Sequence, residues 1–203
     1  MMSLYPVFLK LEGRKVLVVG GGAIAEQKIE GVLRSATDVT VIAARVNERI
    51  QRWADEGRLR LCLRHYEPGM AKGYFLVIAA TDANEVNRAV YEDARAAGAL
   101  ANAVDDPPYC DFYAPALVSR GDFQIAISTG GRSPALAQQV RKKLEQEYGP
   151  EYEGWTALLG RMRDGIREAL PAGEHRKELL HLLTVPRPAK ENRGGDDGRP
   201  ATE

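Results

Sequence analysis

Near-continuous apolar runs alternate with helix-period segments through the first half of the chain. Residues 15–19 (KVLVV), 38–43 (DVTVIA) and 74–81 (YFLVIAAT) are apolar at almost every position, the pattern of strands covered on both faces of a parallel sheet. Residues 59–64 (LRLCLR) alternate instead, as a strand nearer a sheet edge does, and 99–104 (ALANAV) predict a fifth strand. Helix-period segments lie between them at 23–34, at 46–56, where Ile50 and Trp53 share a face, and at 84–97. Such alternation predicts an α/β fold: an open, Rossmann-type parallel sheet with helices on both faces.

The pattern changes after residue 112. FYAPALVSRGDFQIAIS (112–128) reads as strand, turn at Ser119-Arg120-Gly121-Asp122, and strand. Ser133 is a good helix N-cap and Pro134 suits the first helical position. Leu136, Val140, Leu144 and Tyr148 then give that helix one apolar face. Residues 152–170 repeat at helical spacing through Trp155, Leu158, Leu159, Met162, Ile166 and Leu170, and a last helix is expected over 173–184. The tail from Pro186 carries no large apolar residue, so disorder is expected there. The expected organisation is a sheet domain over 1–112, a hairpin-plus-helix element over 113–149, a small helical domain over 150–185 and the tail 186–203. The second of these is thin for a core of its own. It is either an extension packed on the sheet domain or a dimerisation element.

Composition narrows the partners. Lys plus Arg and Asp plus Glu each number 28, so no basic excess exists to neutralise the phosphates of a nucleic acid. No apolar run approaches the ~18 residues of a membrane span. The start, MMSLYPVFLKLEG, lacks the basic-then-apolar order of a secretory signal. Cys62 and Cys110 have neither metal nor redox spacing, and His65, His175 and His181 are scattered. A cytoplasmic protein without a resident metal is expected.

The candidate chemistry gathers where strands end. Gly20-Gly21-Gly22-Ala23-Ile24-Ala25 fits G-x-G-x-x-A between a strand and a helix, the setting of a dinucleotide's pyrophosphate. In that pattern Gly20 permits the turn, Gly22 admits the phosphates and Ala25 lets the helix pack close. About 20 residues on, where an acid usually holds the ribose of NAD, stand Ala43, Ala44 and Arg45. Arg45 either favours NADP or is a solvated loop residue, so the residues leave the two cofactors open. Thr81 and Asp82 end another strand, where they face the ligand crevice or cap the next helix. Asn102, Asp105 and Asp106 end the fifth strand ahead of two prolines, as turn formers or as catalytic acids, with Asp111 a weaker candidate. Ser128-Thr129-Gly130-Gly131-Arg132-Ser133 precedes a helix, either as a turn and cap or as an anion cradle. Arg141, Lys142 and Lys143 form a solvated face or attract an acidic substrate.

These residues together resemble the precorrin-2 dehydrogenase family, also found as the N-terminal region of siroheme synthases. PVFLKLEGRKVLVVGGGAIAEQK, FLVIAATDANEVN, NAVDDPPYCDFYAPALV and GDFQIAISTGGRSPALAQQVRKKLE carry the resemblance over most of residues 6–145. Residues 150–185 match only in helical character, and with no methyltransferase region following, the stand-alone form is expected. The resemblance implies NAD-dependent oxidation of precorrin-2 to sirohydrochlorin on the route to siroheme, and in some members insertion of ferrous iron as well. It implies a homodimer formed through residues 114–148. It maps the cofactor contacts onto Gly20, Gly22, Ala23 and Ile24 and onto Ala44 and Arg45, and the catalytic aspartate onto Asp105. It also makes Asn102, Arg120, Arg132 and the 128–133 loop candidates for binding the carboxylate-rich substrate. The family uses NAD without the usual ribose acid, so NAD is the expected cofactor. The rivals are a dehydrogenase that also chelates iron and a nucleotide-sensing module without catalysis.

Overall fold

The computed structural model describes residues 4–183, so the expectation for the 186–203 tail lies outside the described residues. Residues 5–114 form one compact unit, and residues 115–183 belong to another.

The first unit is a five-stranded parallel sheet. Its strands are β1 (Lys15–Val19), β2 (Asp38–Ala43), β3 (Arg60–Leu63), β4 (Leu76–Ala79) and β5 (Leu100–Ala103). Their spatial order is β3-β2-β1-β4-β5. The connecting helices are α1 (Ala23–Val32) and α2 (Glu48–Asp55), then α3 (Asn84–Ala96) between β4 and β5. Every pairing is parallel, with Val16↔Val39 and Val16↔Leu76 in register at the centre. Alternate residues of each strand feed two separate cores, as the pleat requires. Val16, Val18, Val39, Val41 and Ile78 pack with Ile29 of α1 and with Ile50 and Trp53 of α2. Leu17, Val19, Ile42 and Val77 pack on the other face with Val90 and Ala94 of α3. This is why β1 reads as an unbroken apolar run: both of its faces are covered.

The strands expected at 59–64, 74–81 and 99–104 are each shorter than the apolar patterns that announce them. Apolar character continues past the sheet because the flanking residues roof the same cores; Ala80 and Leu59 are buried outside any strand. The helix expected from residue 46 begins at Glu48, because the Asn47 side chain accepts a bond from the Ile50 amide and so acts as the N-cap.

In the second unit, β6 (Ala116–Arg120) and β7 (Phe123–Ile127) form an antiparallel hairpin. The turn is tighter than the four residues expected: Arg120 pairs with Phe123, leaving Gly121-Asp122 as the connection. Helices α4 (Pro134–Glu147), α5 (Glu151–Ala169) and α6 (Glu174–Leu182) follow. Ser133 caps α4 through the Leu136 amide with Pro134 in the first turn, as expected. An aromatic cluster of Phe123, Tyr148 and Tyr152, with ring centroids 5.0–5.3 Å apart, ties the hairpin to α4 and α5. The core is small. Only Ala116, Val118 and Ala137 are buried among its described apolar residues, and Leu136, on the apolar face of α4, is 50% exposed. No helix among the described residues is long and apolar enough to cross a membrane.

Candidate functional site

The sheet order places a topological switch point between β1 and β4, where connections leave in opposite directions and open a crevice at the carboxyl ends of the strands. A cleft of about 510 Å³ lies there. It is lined by the glycine loop after β1, residues 42–47 at the end of β2, Arg64, His65 and Tyr66 after β3, and Ala80–Ala83 with Val86 after β4.

The three glycines have three different tasks. Gly20 takes φ +129°, and a Cβ there would run into the Ala80 carbonyl, its carbon only 2.7 Å away. The turn thus lies directly against the end of β4. Gly21 lies equally close to the Arg45 carbonyl, where a Cβ would also meet Val46 Cγ1 at 2.9 Å. The Gly21 carbonyl accepts the Asn47 amide at 3.0 Å, fixing the loop to the end of β2. Gly22 has open space where a Cβ would point, and it caps α1 with no side chain covering the helix terminus. A backbone pressed down at two glycines and open at the third fits a pyrophosphate, with the free N–H groups of α1 facing it. Ala23 and Ile24 are exposed on the first turn of α1, whereas Ala25 is fully buried and sets the close helix–sheet packing. Glu26 is the one acid in that turn; Asn47 Nδ2 donates to it at 2.6 Å and Arg49 Nη1 at 3.0 Å, which draws its charge away from the loop.

Ala44 and Arg45 are both exposed at the rim where β2 ends. Thr81 lines the cleft, and its hydroxyl lies 2.8 Å from Oδ1 of Asn87 and 3.1 Å from the Ala83 carbonyl. Asn87, only 2% exposed, also accepts the Thr81 amide and donates to the Thr81 carbonyl. It holds the 80–83 loop from α3 and leaves Asp82 exposed at the cleft.

Asp105 follows β5 in a turn with φ +62°, the only non-glycine residue with positive φ among the described residues. A carboxylate in this region of backbone space is held there by its surroundings. Its side chain is exposed and has no hydrogen-bond or ion-pair partner among the described residues. The neighbouring acids are engaged. Asp106 accepts from Arg88 Nε at 2.6 Å. Asp111 accepts from Arg95, from the Ala101 amide at 3.0 Å and from the Tyr91 hydroxyl. Asn102 Nδ2 donates to the Phe112 carbonyl at 2.7 Å, folding the loop back onto β5. The Cys110 thiol donates to the Ala103 carbonyl, and burial pushes its pKa up. Four anchors thus hold the loop around one free carboxylate.

In the second unit, Gly130 and Gly131 both take positive φ. Ser128 Oγ accepts the Gly130 amide, the Thr129 carbonyl accepts the Arg132 amide, and Thr129 Oγ1 accepts the Ser133 amide. The loop is therefore built by its own hydroxyls, and its exposed Arg132 side chain has no ion-pair partner among the described residues. Arg120 is engaged: its guanidinium donates to the Ser119, Glu145 and Tyr148 carbonyls and secures the end of α4. Arg141 is likewise paired, with Glu145.

Sequence reasoning misses the roles of Gly21, Asn47 and Asn87, and it gives no role to His65, which lines the cleft. The N-cap pattern ahead of Glu48 was available as a sign of Asn47; the other roles depend on neighbours distant in sequence.

Comparison with known proteins agrees with this geometry. The model of an NAD(P)-binding family matches residues 7–116, and that of the central region of sirohaem biosynthesis proteins matches residues 120–147. The siroheme synthase of Methylococcus capsulatus is 38% identical over 94% of this chain and 40% of its own length. That of Actinobacillus pleuropneumoniae is 36% identical over 90% of this chain and 37% of its own. The chain thus spans under half the length of these curated relatives. The solved structure of SirC, a precorrin-2 dehydrogenase, superposes with a TM-score of 0.73 at 34% identity, covering 89% of this chain and 88% of that one. With a sheet of this order and a glycine loop of this build, the chain belongs to the sirohaem-biosynthesis family of NAD(P)-binding proteins, the family of the precorrin-2 dehydrogenase SirC.

Proposed function

We propose that the chain oxidises precorrin-2 to sirohydrochlorin, with NAD as the oxidant. The reaction removes one hydride and one proton from the macrocycle, giving sirohydrochlorin, NADH and a proton. A bound nicotinamide supplies the oxidising power by accepting the hydride. The chain supplies the rest. Gly20, Gly22, Ala23 and Ile24 hold the cofactor's pyrophosphate. Ala44 and Arg45 border its ribose, and Thr81 and Asp82 form the opposite wall. Asp105 takes the proton.

The observation that carries this reading is the state of Asp105: an unpaired, exposed carboxylate on a positive-φ turn at a strand's carboxyl end, beside two acids already engaged. A general base needs that availability and that fixed position. The 128–133 loop, with Arg132, is proposed to receive substrate carboxylates. Residues 113–149 are proposed to form a homodimer, because the second unit buries so little apolar surface of its own. Incubating the pure protein with precorrin-2 tests the function: the spectrum of sirohydrochlorin is expected with NAD and not without a nicotinamide cofactor. Absence of sirohydrochlorin in the presence of bound NAD would overturn it.

A further inference from the structure

The rim of the cleft at β2 and β3 is cationic. Ala43 of β2 pairs with Leu63 of β3, so the next residues, Ala44 and Arg64, leave adjacent strands side by side. Paired strands run about 4.8 Å apart. Arg64 therefore stands next to the position where such sites usually carry the ribose acid, and Arg45 follows on the other strand. Both line the cleft, and both side chains are exposed. Neither guanidinium has a hydrogen-bond or ion-pair partner among the described residues, whereas Arg49, Arg60, Arg88 and Arg95 in the same unit are each paired with a carboxylate. Among the described residues Asp82 is the only acid lining the cleft, and it lies at the end of β4, beyond β1 from this rim.

An acid at the ribose excludes NADP by repelling its additional phosphate, and an arginine receives that phosphate. Here the acid is absent and two unpaired arginines stand at its place. We propose that the cleft admits a phosphorylated ribose, with Arg45 and Arg64 as its ligands, so that NADP binds as well as NAD. The inference rests on the cofactor reading of the cleft and extends it to the specificity of its ribose end.

Calorimetric titration of the full chain with NAD and with NADP tests it, together with the Arg45→Ala/Arg64→Ala double variant. The wild type is expected to bind NADP within about tenfold of NAD, and the double variant to weaken NADP at least about ten times more than NAD, the scale of a charge-assisted phosphate contact. The shorter ligand 2′,5′-ADP is expected to follow NADP, and 5′-AMP to follow NAD. Both substitutions are at exposed positions, and a melting curve matching the wild type verifies the fold. NADP binding more than about a hundredfold weaker than NAD, or equal weakening of both by the double variant, would overturn the inference and leave the cofactor reading standing. Binding of neither dinucleotide would overturn both.

Discussion

The glycine loop makes a prediction in which two neighbouring substitutions of the same size fail in different ways. Gly20→Ala forces a methyl group into the Ala80 carbonyl, with the carbonyl carbon at 2.7 Å, on a backbone at φ +129°. Backbone atoms at the end of β4 cannot turn aside as a flexible side chain would. Overpacking of this kind costs about 1–3 kcal/mol and a glycine-only backbone conformation about 1–3 more. Together these amount to about 2–6 kcal/mol, a large part of the ~5–15 kcal/mol that holds a domain folded. Gly22→Ala meets no atom within 4 Å. Its φ of −86° is ordinary for an L-residue, so the expected cost is that of exchanging glycine for alanine at a helix N-cap, about 1 kcal/mol or less. Its methyl group, however, would occupy the space through which a pyrophosphate is proposed to approach the backbone. If the same ~1–3 kcal/mol of overpacking falls on the bound state, NAD affinity drops by about 5- to 150-fold. Urea denaturation and calorimetric NAD titration, run on both variants, read the two effects separately. A Gly22→Ala protein that binds NAD as tightly as wild type would remove the pyrophosphate from this loop. A Gly20→Ala protein as stable as wild type would refute the steric argument.

The remaining predictions concern the acids, the assembly and the thiol. Asp105→Asn is expected to fold and bind NAD normally but to lose turnover by about 10²–10⁴-fold, the worth of a positioned acid–base group; unchanged single-turnover rates would take the residue out of the mechanism. Asp106→Asn is expected to keep turnover and to change stability by about 1 kcal/mol or less, because its partner Arg88 is half exposed and an amide oxygen can still accept from it; a loss of turnover matching that of Asp105→Asn would contradict the assignment. Leu136→Asp with Val140→Asp is expected to break a dimer and its activity together, and sedimentation of the wild type as an active monomer would refute the proposed assembly. Burial raises the Cys110 pKa, so its thiolate is scarce at neutral pH and alkylation is expected to be slower in the folded chain than in urea; equal rates would refute that.

The legible parts of this protein are those governed by local pattern. β1 and β2 coincide with their apolar runs because both faces of each strand are buried. Ser133 and Pro134 begin α4 where capping chemistry places them. The family resemblance, not the local pattern, singles out Asp105 among three neighbouring loop acids, and the pattern does not carry the reason it differs from the others in its contacts. Asp106 and Asp111 are engaged by Arg88 and Arg95, which approach from α3. Gly21 was invisible for the same reason: its constraint is the Arg45 carbonyl, more than 20 residues away on another strand's end. Asn87 reads as an ordinary polar helix residue until its side chain is seen closing the 80–83 loop. Arg120, expected among the substrate contacts, also secures the end of α4, where its guanidinium donates to the Glu145 and Tyr148 carbonyls, a contact no local pattern announces.

The proposed reaction requires a nicotinamide cofactor bound in the cleft as hydride acceptor and the Asp105 carboxylate as proton acceptor. An anaerobic single-turnover reaction, with enzyme in excess over precorrin-2 and NAD as the only oxidant, tests it most directly. One NADH is expected for each sirohydrochlorin formed, both appearing at the same rate and both slowed together in Asp105→Asn. Sirohydrochlorin formed without NADH, or the two appearing at different rates, would contradict it.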